Sequence, residues 1–249
     1  MKNKNITLGI LGGLGPMAGV YFFEMLTSHT KASCDSEHID TVISSRASTP
    51  DRTAYIMGRS KESPLEQMLT DAKKLSEYGA DLIAIPCNTA HCFYDALSKE
   101  LDIPIINIVG ETAKHLASLN VKKVGVLATE GTVFSDAYGI ECGRRGIECV
   151  YPDRNEQQII SDIIYKDIKS GAAFDKDGFD QVCESLFEQS CERIVLGCTE
   201  LSLIKKVCQL DPRITDSLEV LAYSSIVSCN KTPFGFGEEF ECLKETVKK

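Results

Sequence analysis

Two short apolar runs, one in each half of the chain, end in the same way. Leu82-Ile-Ala-Ile-Pro86 leads into Cys87-Asn88-Thr89, and Arg193-Ile-Val-Leu-Gly197 leads into Cys198-Thr199-Glu200. A buried run followed at once by a small polar turn and a helical stretch is the strand-to-helix unit of a parallel sheet. Finding it twice restricts the chain to an α/β architecture built from two similar Rossmann-like lobes. Open sheets of this kind bind ligands beyond the carboxyl ends of their strands. The pattern therefore sets both thiols where one small molecule can lie between them, in the cleft between the lobes.

The remaining sequence keeps the same alternation. Strands are expected at Thr7–Leu11, Thr41–Ser45, Leu82–Pro86, Pro104–Ile108, Lys123–Leu127, Glu148–Tyr151, Arg193–Leu196 and Arg213–Thr215. The clearest helix is Ser63–Tyr78. Ser63 and Glu66 have capping-box spacing, Pro64 suits the first turn, Leu65, Met68, Leu69 and Ala72 share one face, and Gly79 ends it. Tyr78–Ala90 matches Ser190–Leu201 in kind, and Ile6–Gly15 matches Val124–Thr132. The simplest division inserts a second lobe, 109–212, into a first made of 1–108 plus 213–249. The last strand and a Ser217–Ser228 helix then return to the first lobe.

Composition limits the partners. The 249 residues are 43% hydrophobic and 25% charged, the balance of a globular domain with a substantial core. No apolar run approaches the roughly 20 residues that span a bilayer. Four glycines break the segment Ile6–Gly15, so no signal peptide is expected. A net charge of −9 disfavours nucleic acid and anionic membrane as partners. Eleven cysteines cannot all pair, and their irregular spacing in an α/β chain points to reduced thiols and a cytoplasmic location.

Nine of the eleven (Cys34, Cys92, Cys142, Cys149, Cys183, Cys191, Cys208, Cys229 and Cys242) read as small core hydrophobes. Cys87 and Cys198 differ because their setting is duplicated. A strand end that opens a helix surrounds a thiol with unpaired N–H groups, which favours thiolate. Cys87, His91 and Cys92 have no second pair at zinc-site spacing, so no metal is expected. Gly12-Gly13-Leu14-Gly15 follows a strand without the spacing of a dinucleotide loop and reads as a tight turn beside a ligand.

Pro86-Cys87-Asn88-Thr89-Ala90-His91 and Gly197-Cys198-Thr199-Glu200 resemble the two signature segments of the aspartate/glutamate racemase superfamily. The resemblance continues through Gly9-Ile-Leu-Gly-Gly-Leu-Gly-Pro-Met17, Thr49-Pro50-Asp51-Arg52-Thr53 and Gly131-Thr132, up to about Ala222. The Pro-Asp-Arg-Thr stretch is similar to aspartate racemases in particular. Glutamate racemases typically carry Cys-Thr-His in the second segment, where this chain has Cys198-Thr199-Glu200.

The resemblance implies a cofactor-independent amino-acid racemase with Cys87 and Cys198 as exchangeable base and acid. It also implies a homodimer, a small amino-acid substrate, no pyridoxal phosphate and no metal. Deprotonating an amino acid at Cα builds an enolate-like dianion, so hydrogen-bond donors are needed where that charge develops. Asn88, Thr89, Ala90 and Thr199, with nearby backbone N–H groups, are the expected substrate contacts. Arg52 matches the arginine that meets the substrate carboxylate. Lys169 matches a second recognition cation, although a solvated helix-end lysine is the competing reading with Lys166 so close. Arg46 is expected at the surface, and His91 is expected to orient local structure. Aspartate is the favoured substrate, with glutamate or a broader amino-acid range as alternatives. A ligand-binding or thiol redox-sensing Rossmann-like protein is the alternative from another class.

Overall fold

The computed structural model describes residues 5–240; Cys242 and the charged tail at 241–249 lie outside them. The first half runs β1 (Thr7–Gly12), α1 (Pro16–Ser28), β2 (Asp40–Ser45), α2 (Arg52–Ile56), α3 (Leu65–Tyr78), β3 (Leu82–Ala84), α4 (Tyr94–Lys99), β4 (Ile105–Ile106) and α5 (Ile108–Ser118). The second half runs β5 (Lys123–Leu127), α6 (Glu130–Phe134), α7 (Ala137–Gly143), β6 (Glu148–Val150), α8 (Arg154–Asp162), α9 (Lys176–Glu188), β7 (Arg193–Leu196), β8 (Ile214–Asp216) and α10 (Ser217–Ser228). The strands form two four-stranded parallel sheets, ordered β2-β1-β3-β4 and β6-β5-β7-β8. The two orders are the same topology repeated. In each, chain direction across the sheet reverses beside the strand that precedes a cysteine of the pair, which is where such sheets open a ligand crevice.

One expectation is corrected here. The Arg213–Thr215 strand was assigned back to the first lobe, but β8 pairs with β7, setting Ile194 opposite Ile214 and Leu196 opposite Asp216. Without β8, the fully buried residues of β7 would form a sheet edge with unpaired backbone groups. β8 thus completes the second sheet as β4 completes the first. The helix that follows does pack on α1 and α5. Helix α10 is buried nearly all round, Ser217, Ser224 and Ser225 along with Leu218, Val220, Leu221, Tyr223 and Ile226, as befits a helix held between layers. A single apolar cluster accordingly joins Leu8 and Ile10 of β1, Leu116 of α5 and Leu221 of α10 to Val124 and Val126 of β5.

Local boundaries shift for identifiable reasons. Helix α3 begins at Leu65 with Pro64 in the capping position. Ser63 Oγ accepts only the Leu65 N–H at 3.3 Å, so the expected capping box does not form. Gly79 ends the helix at φ 110°, a left-handed conformation suited to glycine. Strand β3 stops at Ala84 because Pro86 has no N–H for the ladder. The Cys87 N–H then turns back onto the Ile85 carbonyl at 2.7 Å, and Cys87 stands beyond the sheet. No helix among the described residues is long and apolar enough to cross a membrane.

Candidate functional site

Cys87 follows β3, Cys198 follows β7, and both thiols line one small chamber between the sheets. The chamber has about 10 Å³ of free space, the room of about one water. It adjoins a vestibule of about 360 Å³ between the glycine turn after β1, the start of α2 and Lys169. Leu14, Asp51, Arg52, Lys169 and Glu200 border both spaces. Each cysteine is followed by a 3₁₀ turn, Thr89–Phe93 or Leu201–Lys206, rather than directly by an α-helix. The expected helix-dipole assistance is correspondingly weak. Burial dominates and pushes both thiols above the ordinary cysteine range.

The two thiols have different neighbours. Burial of Cys87 is opposed by the Arg52 charge and by an Ala90 backbone N–H directed at the sulfur. Cys198, pushed further, donates its S–H to Glu200 Oε2 at 3.0 Å, and the carboxylate adds to the effect of burial. Glu200 is nearly buried, and its Oε1 has no hydrogen-bond partner, with Lys169 Nζ 3.6 Å away. Burial acts to lower the Lys169 pKa, but Glu200, Cys198, Tyr165 and Cys87 together raise it, so the lysine stays charged.

Arg52 is buried at the start of α2, and its guanidinium is held entirely by carbonyls. Nη1 donates to Thr49 O at 3.2 Å and Pro50 O at 3.0 Å, Nη2 donates to Leu14 O, and Nε has no partner. Among the described residues, no carboxylate lies within ion-pair distance of it. Asp51, immediately before it, caps α2 through the Ala54 N–H instead.

The expected donors also brace the two halves. The Asn88 amide gives an N–H to Ser217 Oγ at 3.0 Å and receives the Tyr138 hydroxyl at 2.7 Å. Thr89 Oγ1 joins Thr129 and Thr132 in a buried hydroxyl cluster, at 2.8 and 3.0 Å. Thr199 Oγ1 donates to the Pro86 carbonyl at 3.2 Å, so the residue after one cysteine holds the residue before the other. Ala90 is fully buried. His91 accepts the Ile108 N–H at Nε2, which leaves Nδ1–H to donate to the Cys87 carbonyl at 2.8 Å. Burial lowers its pKa, so the neutral ring acts as a strut beneath the Cys87 turn.

Lys169 lines the chamber, whereas Lys166 pairs with Asp162 in solvent. Arg46 lies outside the chamber lining and forms an ion pair with Asp71 at 2.6 Å. Of the other cysteines, Cys142, Cys183, Cys191 and Cys229 are buried as expected, Cys92, Cys149 and Cys208 are half-buried, and Cys34 is exposed beside Ser36. Several wall residues escaped the sequence reading, Glu200 and Tyr165 among them. Glu200 was noted only as a departure from histidine, although a side chain two residues past a strand-end thiol can fold back onto it. Tyr165, in a π-helical turn at Ile163–Ile168, donates its hydroxyl to Thr53 Oγ1 at 3.0 Å and left no periodic trace in the sequence.

Comparison with known proteins agrees with this geometry. The Asp/Glu/hydantoin racemase family model matches residues 11–224. The broad-specificity amino-acid racemase RacX of Bacillus subtilis is 29% identical over 231 residues, 88% of this chain and 96% of that protein. A glutamate racemase of Aquifex pyrophilus is 28% identical over 178 residues, 67% of this chain and 65% of its own. The structure of Picrophilus torridus aspartate racemase superposes with a TM-score of 0.76 at 29% identity, covering 95% of this chain and 98% of the other. With a repeated parallel sheet, paired thiols at its crevices and a family match spanning most of its length, this chain belongs to the Asp/Glu/hydantoin racemase family of isomerases.

Proposed function

We propose that the protein interconverts L- and D-aspartate without a cofactor, one cysteine taking the α-proton while the other delivers a proton to the opposite face. The observation that carries the choice of an acidic substrate is the Arg52 guanidinium, buried in the chamber that both thiols line, with no carboxylate partner among the described residues and a free Nε. A buried guanidinium with a free N–H and no carboxylate ion pair favours the approach of a carboxylate. A substrate carboxylate on Arg52 would fill that place, and the Lys169 ammonium at the vestibule boundary would support a second. The backbone N–H groups after Cys87 and Cys198 would meet charge developing on the α-carboxylate. The chamber must widen to admit an amino acid, and the adjoining vestibule is the route in. By family resemblance, the proposed assembly is a homodimer.

Incubation of L-aspartate in deuterated water, without pyridoxal phosphate, should give α-deuterated D-aspartate. Absence of both exchange and the D-enantiomer overturns the reading. Cys87→Ser and Cys198→Ser should each lose at least about 100-fold in racemisation, as expected when a positioned acid or base is removed. The similarity to RacX supports a second reading, a broader amino-acid range, and equal kcat/KM for aspartate, glutamate and alanine would favour it. A redox-sensing role suits accessible low-pKa thiols, whereas burial raises the pKa of both of these.

A further inference from the structure

A two-thiol racemase has to begin each turnover with one sulfur ionised and the other protonated, and a symmetric pair offers no reason for either choice. Here the surroundings are asymmetric. The Cys198 S–H is directed at Glu200 Oε2 at 3.0 Å, in a site where both residues are more than nine-tenths buried. Cys87 has no carboxylate hydrogen-bonded to it. It shares the chamber with the Arg52 guanidinium and receives the Ala90 N–H. Glu200 is held by close packing at the glycine turn, since a Cβ on Gly15 would lie 2.1 Å from its Oε1. Glycine at this position lets the backbone run against the carboxylate and keeps it aimed at the sulfur.

Resting on the two-cysteine reading above, we propose that Glu200 is a positioning residue that holds Cys198 in its protonated form, making Cys87 the resting base. The groups facing this carboxylate are Cys198 on its own turn, Lys169 and Tyr165 from the π-turn region, Cys87 after β3, and Asp51 and Arg52 at the start of α2. An ionised Glu200 beside an ionised Cys198 would set two like charges within hydrogen-bonding distance, a cost that the Lys169 ammonium 3.6 Å from Glu200 offsets in part. Of the two singly ionised arrangements, the favoured one is therefore Cys87 thiolate near Arg52 and Cys198 thiol on Glu200. In one direction, the Cys87 sulfur takes the α-proton and leaves the C–H electron pair on the substrate carbanion. The Cys198 S–H bond then breaks as its proton passes to the opposite face, leaving the electron pair on sulfur. The reverse direction starts from a Cys198 thiolate and a Cys87 thiol, with the Lys169 charge acting to support the Cys198 sulfur. The asymmetry therefore appears in the separate kcat and KM values of the two enantiomers and not in their ratio, kcat/KM.

The test reads thiol ionisation directly, apart from turnover. Full-length protein is alkylated with iodoacetamide across pH, and modification of the Cys87 and Cys198 peptides is followed by mass spectrometry. In wild type, Cys87 should react at lower pH than Cys198. Glu200→Gln, which keeps shape but removes charge, should lower the Cys198 midpoint by about one pH unit or more and the Cys87 midpoint by less, since the carboxylate raises both thiols but hydrogen-bonds only Cys198. Gly15→Ala, which displaces the carboxylate without removing it, should shift Cys198 the same way and rescues the test should Glu200→Gln fail to fold. An unchanged Cys198 midpoint overturns the proposal. A raised midpoint also overturns it, because Glu200 would then be accepting the thiol proton. In kinetics, Glu200→Gln should alter the ratio of kcat values for the two enantiomers. The two kcat/KM values must stay equal, because racemisation has an equilibrium constant of unity. If wild type catalyses no α-proton exchange, the racemase reading fails, and the alkylation shift still reports on Glu200.

Discussion

Arg52 shows how much one side chain can do before any ligand arrives. Its guanidinium ties Thr49, Pro50 and Leu14 together through their carbonyls and keeps Nε free. Arg52→Lys should retain the charge and lose the fork. We expect kcat/KM for aspartate to fall by about 100-fold, with a much smaller loss for alanine, which has no side-chain carboxylate. A matched loss for both substrates would assign Arg52 to the α-carboxylate instead. Its proposed role as a recognition cation was legible from its motif. Its lack of a counter-ion was not, because sequence does not say which carboxylates come near. Glu200 illustrates the same limit, since its partner two residues away is set by the shape of a turn.

Among the elements, the π-helical turn at Ile163–Ile168 is the segment that local rules read least well. It widens one turn between α8 and Lys169, so that Tyr165 reaches Thr53 and Lys169 reaches the chamber. A π-turn behaves as a one-residue insertion in an α-helix, and such bulges gather at functional sites. Lys169→Met keeps most of the side-chain length and removes the ammonium. KM for aspartate should rise about tenfold or more while the circular dichroism spectrum is retained; an unchanged KM would remove Lys169 from recognition. The strand-end turns were more legible. Pro86 and the small residues after each strand mark where the ladders stop, and the equivalence of β3 and β7 followed from their matching sequences.

Across the whole molecule, the shared core couples stability to pH through His115. This residue is fully buried in α5, stacks on Phe240 with centroids 4.7 Å apart, and has no hydrogen-bond partner at either ring nitrogen. Burial, helped by Arg193, lowers its pKa to about 4. The unfolded chain therefore binds the imidazole proton more readily than the native state, and stability falls as pH drops from about 6.5 toward 4. Asp216, raised to about 6 chiefly by burial, works in the opposite sense, stabilising the fold at low pH and losing that contribution as pH rises through 6. Comparing variants isolates the histidine. The stability of His115→Phe relative to wild type should increase by roughly 2 kcal/mol between pH 8 and pH 5 in urea unfolding, and a constant difference would show that His115 does not titrate on unfolding. The sequence by itself determined the alternation of strands and helices, the repeat of two lobes and the candidate cysteines, because periodicity, glycine turns and a duplicated motif are local properties. Only the tertiary structure decided that β8 completes the second sheet, that Thr199 braces Pro86, that Glu200 meets Cys198 and that Arg52 has no counter-ion. Those outcomes depend on which groups close packing and turn shape bring within about 3 Å, a distance that no sequence pattern encodes.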